Sequence, residues 1–441
     1  MNSINNKSII KTLEIYLSQY KDIFYKRSFE NFKIIIIALL YVQEVRSINF
    51  IYDKFIKKYW NAYLNRFYYF LAQKSFNISQ LAIATLNVAI SLIPNTLKKT
   101  TTIYLIIDDT LQAKFGEKFD CYEKLFDHTS KNGSSYLNGH CFVSLAIAIP
   151  IIHNTKINYL KLPIQYRLYD KSKTKLEVAA DMVIDVSPAL AEYQVIVTCD
   201  SWYTKAPFIN SIKKFENINI IGALRNDIAM FDLNIEKTHK RGRPRKRGKR
   251  IDYHNLEYKK DGKFFVAHIK VAVNLINTPV YITITATDIV KFTSVRLYMS
   301  TIDPNEINSF DNISIDEAKQ DKSVEKSIYN IYKMRWNIET IFYQQKTFWS
   351  LGNYMVRSKE AINKYVNLLE VAYSLTILLP FISNNLYKYK FQSPQEVKYH
   401  LSECIYKEFI FSKLLKTLQL DKNITTAEDI FKYLADSDKA S

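Results

Sequence analysis

Glycine and proline are scarce in this chain, at 8 and 10 of 441 residues. Low-complexity linkers need both in quantity, so the connections between elements are mostly ordinary loops. The four cysteines, Cys121, Cys141, Cys199 and Cys404, lie far apart with no Cys-x-x-Cys pair. Neither a zinc site nor a disulfide framework is indicated, which fits a reducing cytosol. The seven histidines show no metal-ligand spacing, and His128 and His140, between the first two expected strands, are read as structural. The N-terminus is polar and lacks a small-residue cleavage site, so no signal peptide is expected. The strongest apolar runs, "IIIIALLYV" from Ile34 and "LTILLPFI" from Leu375, are too short and too closely flanked by polar residues to span a bilayer. These absences predict a soluble, cytoplasmic protein with no membrane partner.

What is present is a large globular chain, 48% hydrophobic and 24% charged, long enough for two or three domains. Lys and Arg number 61 against 43 Asp and Glu, a formal charge of +18. Such an excess favours densely anionic partners, nucleic acid first. Heavy use of Ile, Lys, Asn and Tyr points to an AT-rich genome, which inflates Lys but leaves the clustered Arg unexplained.

Along the chain the texture changes twice. Residues 1–98 read as helices, either a helix-turn-helix-like DNA-binding module or a plain helical bundle. From residue 101, "TTIYLIIDDT" is a continuous apolar run ending in carboxylates, the pattern of a strand buried on both faces. "GHCFVSLAIAIPII" and "INYLKLPIQYRLYD" follow as strands, then a helix around "TKLEVAADMVIDV", a strand in "YQVIVTCDSW", a helix from about Tyr203 and a strand in "INIIGAL". Three strands, helix, strand, helix, strand is the order of a ribonuclease H-like α/β domain. A β-rich insertion, about 225–322, delays the next helix, and the catalytic domain is expected over 99–355. Residues 356–441 are helical again, with capping-box-like starts at Ser393–Glu396 and Thr425–Glu428. The expected fold class is α/β, a ribonuclease H-like core with helical flanks.

Three acidic positions converge on this plan: Asp108 or Asp109 after the first strand, Asp200 after the fourth, and Glu339 on the late helix. Carboxylates from separate elements suit Mg²⁺, or Mn²⁺ in its place, because a hard cation takes oxygen ligands and keeps positions open for phosphate and water. Two such ions serve an in-line phosphodiester displacement. In "YKMRWNIETIFYQQK", Tyr332, Arg335, Glu339 and Lys346 fall within an arc of about 60° if the stretch is one helix, opposite Met334, Ile338, Ile341 and Phe348. The basic "KRGRPRKRGKR" contributes Arg241, Arg243, Arg245, Lys246 and Arg247, as a solvated grip on phosphates or as an Arg-Gly-Arg-Pro segment in an A·T-rich minor groove.

The ungapped Tyr332-x₂-Arg335-x₃-Glu339-x₆-Lys346, with "RWNIE" and "CDSW", resembles the DDE transposases of insertion sequence family four over roughly residues 100–360. The resemblance implies a cut-and-paste transposase of a bacterial cytoplasm, nucleoid-associated. It would act on double-stranded DNA, terminal inverted repeats and target, as a homodimer in a synaptic complex. It makes Asp108 or Asp109, Asp200 and Glu339 the catalytic acids, with Asp109, Asp200 and Glu339 preferred as metal ligands. Tyr332, Arg335 and Lys346 would hold transposon-end DNA. Both Asp-x-Thr and Asp-Thr occur in the family, so "DDT" admits either acid. The aromatic that fills a flipped base's space in hairpin-forming relatives is typically Trp. Here Trp60, Trp202, Trp336 and Trp349 all lie outside the insertion. Trp202 and Trp336 are expected to pack. The rival readings are a decayed DNA-binding protein and a ribonuclease H-like repair nuclease.

Overall fold

The computed structural model describes residues 8–44, 47–98, 101–127, 135–235, 246–274, 276–307 and 327–420. Arg241, Arg243, Arg245, His128 and the start at Thr425–Glu428 lie outside the described residues. The chain divides into a helical unit, Met1–Val88 with Gln112–Gly139 and Tyr343–Ser441, and a sheet unit, Ala89–Leu111 with His140–Phe342.

The sheet unit is built on β1 (Thr102–Ala113), β2 (Tyr136–His153), β3 (Lys156–Leu168), β4 (Gln194–Cys199) and β5 (Ile218–Leu224). β1, β4 and β5 run parallel, and β2 and β3 pair antiparallel. Ile103, Leu105, Ile106 and Ile107 on β1 and Val195, Ile196 and Val197 on β4 are all buried. β-Branched residues pointing to both faces make these strands covered on both sides, and each such side chain stabilises the fold by roughly 1.5–3 kcal/mol. Contrary to the sequence expectation, β1 does not end at its carboxylates: it continues to Ala113, so Asp108 and Asp109 are consecutive in-strand residues.

The β-rich insertion is no separate body. β6 (Phe264–Val273) and β7 (Ile276–Ala286) form an antiparallel pair, β8 (Arg296–Ser300) pairs with β7, and β8 also pairs antiparallel with β5 through Leu297↔Leu224 and Ser300↔Ile221. The insertion therefore lengthens the central sheet, giving the order β3-β2-β1-β4-β5-β8-β7-β6. Its alternating runs put one face of β7, with Val280, Ile282 and Ile284, into the core.

In the helical unit the first and last described helices pack together. Glu408 of the helix Pro394–Leu420 accepts hydrogen bonds from Ser8 Oγ at 2.8 Å and from the backbone N–H groups of Ile9 and Ile10, satisfying orphan donors of the helix Ile9–Leu17. Lys26–Tyr41 buries every residue from Ile34 to Leu40, so it is apolar all round and central to a bundle. The run from Leu375 belongs to a 24-residue helix, Lys359–Ile382, which is long and apolar enough to cross a membrane. The reading of that run as too short is corrected; nearly all of the helix is buried in this unit.

Candidate active site

Strand register brings two acids side by side. Ile107 on β1 lies opposite Cys199 on the parallel β4. The residues that follow, Asp108 and Asp200, come next in register on neighbouring strands, whose backbones in a sheet run about 4.8 Å apart. Asp200 leaves the strand in an Asx turn: its Oδ1 accepts from the backbone N–H groups of Trp202 at 3.0 Å and Tyr203 at 3.3 Å. Thr204 Oγ1 donates to the Asp200 carbonyl at 2.8 Å, and a Cβ on Gly222 would meet that hydroxyl, so the neighbouring strand needs glycine there. Burial pushes the Asp108 carboxyl up to about 7, and the charge of Asp200 adds to the rise against the pull of Arg335. Burial also raises Asp200, with the charge of Asp109 adding to the rise and the turn hydrogen bonds and Arg335 opposing it. Two carboxylates that resist ionising together call for more positive charge than Arg335 alone supplies.

Glu339 reaches Asp108 through an arginine. Arg335 Nη1 donates to Asp108 Oδ2 at 2.8 Å and Nη2 to Glu339 Oε1 at 2.7 Å. Asp108 and Arg335 are 15% and 11% exposed and Glu339 is 41% exposed, so this bridge runs from a half-buried acid toward solvent. Tyr332 and Trp336 flank the guanidinium, their ring centroids 5.9 and 5.2 Å from Cζ. Burial works against the Arg335 charge, yet Tyr332, Asp108 and Glu339 hold its pKa above the usual arginine value.

The polar face is not one helix. Tyr332 ends α2 (Ile328–Tyr332), Lys333–Arg335 form a 3₁₀ turn, and Glu339 lies in the first turn of α3 (Trp336–Phe348). The tighter turn advances about 120° per residue, which brings Arg335 level with Tyr332 and keeps it on the face of Glu339, to which it donates. It also puts Glu339 at a helix N-terminus, where a carboxylate is favoured. Tyr332 is buried, with its ring 4.9 Å from that of Tyr298 and its phenol pushed up by burial. Lys346 belongs to the helical unit, where burial lowers its pKa and Asp127 opposes the shift.

Asp109 points to the other face of β1 and is already engaged. Lys175 Nζ is 2.5 Å from its Oδ2, Cys141 Sγ donates to the same oxygen at 3.2 Å, and Tyr203 Oη donates to Oδ1 at 3.4 Å. Lys175 opens α1 (Lys175–Val186), whose capping box joins Thr174 and Glu177. Burial opposes the Lys175 charge, but Asp109 and Cys141 raise its pKa. None of Lys175, Cys141 and Tyr203 was among the expected site residues. The Thr174-x-x-Glu177 box was the available signal for where α1 starts, but not for what Lys175 meets.

Among the described residues no three acidic, histidine or cysteine side chains gather closely enough to hold one ion. The donor set nevertheless fits hard cations: Asp108 and Asp200 oppose each other, and the guanidinium of Arg335 sits where positive charge is wanted. His140 is buried, as a structural histidine would be. Trp202 and Trp336 are 50% and 53% exposed, which corrects the expectation that they pack. In the basic stretch Lys246 and Arg247 are exposed, with Arg247 donating to Asn274 and lying 5.2 Å from the Phe231 ring centroid.

Residues 62–262 match the family model of the DDE superfamily endonucleases. The chain is similar to those nucleases. The match takes in Asp108, Asp109 and Asp200 and stops short of Glu339. It supports a transposase-like nuclease acting on DNA, a class that typically uses divalent metals. Comparison with curated proteins gives no match.

Proposed function

We propose that this chain is a cut-and-paste DNA transposase of insertion sequence family four, and that Asp108, Asp200 and Glu339 are its catalytic acids. The observation that carries the reading is the Asp200–Asp108–Arg335–Glu339 array, in which parallel register aligns two acids and an arginine ties in the third. Similarity to DDE superfamily endonucleases across the first two acids supports it. The order β3-β2-β1-β4-β5 with a parallel β1-β4-β5 set supports a ribonuclease H-like core.

Asp108 replaces Asp109 in this assignment, because Asp109 is held by Lys175, Cys141 and Tyr203 on the opposite face. Mg²⁺ or Mn²⁺ held by Asp108, Asp200 and Glu339 would, when bound, activate the attacking hydroxyl and stabilise charge on the leaving oxygen. Arg335 keeps Glu339 tied to Asp108, and its planar fork suits an incoming phosphate equally well. Tyr332, buried beside Arg335, positions the guanidinium from behind. Lys346, Lys246 and Arg247, with Arg241, Arg243 and Arg245, add positive charge for DNA. Transposon ends and target DNA are the partners, a homodimer the working form and the bacterial cytoplasm the location.

The test is cleavage of DNA carrying this gene's own native flanks, with Mg²⁺, by wild type and Asp200→Ala. Breaks at the element's ends made by wild type alone, followed by joining to a second DNA, are expected. Cleavage without joining would favour a repair nuclease, and end-specific binding without cleavage a decayed DNA-binding protein.

A further inference from the structure

Asp200 and Tyr203 face inward, but between them the Asx turn throws Trp202 out of the sheet unit. Tyr203 is fully buried, whereas Trp202 keeps half of its surface exposed. Indoles are highly buried on average, so an exposed one two residues from a candidate catalytic acid needs a reason. The ammonium of Lys205 lies 4.1 Å from the ring centroid, and that of Lys175, itself bound to Asp109, 5.9 Å. Trp336 is also exposed, but the guanidinium of Arg335, committed to Asp108 and Glu339, lies against its ring.

We infer that Trp202 is a stacking platform for an unpaired DNA base beside the acid cluster, with Lys205 meeting the adjoining phosphate. The inference rests on the DNA-cleaving reading above. An indole face and a nucleobase face are chemically matched, and cations at the rim suit the phosphates on either side of a stacked base. Within a duplex both faces of a base are covered, so the platform selects a frayed, overhanging or extruded nucleotide. The ammonium of Lys205 rests on the ring without DNA; an exposed cation–π contact is weaker than base stacking, so the base displaces it and the ammonium turns to phosphate. Trp202 thereby fixes the strand next to Asp200, whose turn holds both the acid and the indole.

The experiment measures binding of two short duplexes of the gene's native flank, one blunt and one with a single-nucleotide 2-aminopurine overhang. Ca²⁺ replaces Mg²⁺ so that binding is read without cleavage. Trp202→Ala is expected to weaken the overhang duplex about tenfold or more and to abolish 2-aminopurine quenching, with the blunt duplex changed less than about threefold. Trp202→Phe keeps most of the overhang preference, and Lys205→Ala weakens both duplexes alike. Unchanged overhang binding and quenching in Trp202→Ala would overturn the platform while leaving the nuclease reading standing. Equal losses on both duplexes in Trp202→Ala and Trp202→Phe would overturn it too, as damage to the turn. Failure of wild type to bind either duplex would remove the DNA-cleaving reading itself.

Discussion

In the sheet unit, charged groups are only partly withdrawn from water and are joined across elements: Glu339 to Arg335, Arg335 to Asp108, Lys175 to Asp109. In the helical unit, Lys398 and Glu370 are almost wholly enclosed. Lys398 has no exposed surface, donates to the Gln43 carbonyl at 3.3 Å and faces the Trp349 ring at 4.5 Å. Glu370 is 1% exposed, with Oε1 accepting from Ser374 Oγ at 3.0 Å and Oε2 unpartnered. Burial drives the first down to about 7 and the second well above the carboxylate range. At the two enclosed groups no neighbouring charge opposes burial, whereas at the half-open site one does: Arg335 pulls against the rise at Asp108, and Asp109 holds the Lys175 ammonium up. Opposing charge thus separates these two enclosed groups from the candidate site.

Substitutions sharpen this contrast. The largest effect is expected on cleavage: Asp108→Asn should lower the rate about 10³-fold in the native-flank assay, as should Asp200→Ala. Asp109→Asn should retain far more activity and instead lower thermal stability by about 1–3 kcal/mol, because it weakens the Lys175 bridge. Equal loss of cleavage in both variants would return Asp109 to the ligand set.

Lys398→Met should act in the opposite sense, stabilising the protein by a few kcal/mol at pH 6 while leaving cleavage unchanged. The sign follows from proton uptake. With a folded pKa of about 7 against the ordinary 10.5, the native chain binds fewer protons than the unfolded chain between those values. Wild-type stability from this group therefore rises as pH goes from 7 to 10.5, and Lys398→Met should flatten that slope in denaturant titrations. A slope that survives the substitution would place its origin elsewhere. The smallest effect is expected for Glu339→Gln on stability: its carboxylate is 41% exposed, so the change should stay within about 1 kcal/mol while cleavage is lost.

The core strands were legible because Ile- and Val-rich runs buried on both faces have few other solutions, and β1 to β5 all lie where those runs stand. Pairing partners were not legible. Nothing in "RLYMS" says that it joins "INIIGAL", so the sequence showed a β-rich insertion without showing that its strands extend the central sheet. The 3-4-7 spacing from Tyr332 was visible, but the 3₁₀ turn at Lys333–Arg335 was not, because local propensity does not distinguish it from α-helix. Alternation set Asp108 and Asp109 facing opposite ways without saying which face meets Asp200; the Ile107–Cys199 register favours Asp108. Trp202 was misread for a simpler reason: its exposure is set by an Asx turn made by the acid beside it.

The arginine bridge also has a consequence in time. Asp108 and Glu339 are separated by more than two hundred residues, which include the strands that must join the sheet first. A ribosome needs on the order of ten seconds or more to supply that length. A nascent chain thus carries Asp108 without Arg335 or Glu339 for that interval, and Asp200 for the later part of it, so on the proposed assignment it cannot be armed before its sheet is nearly complete.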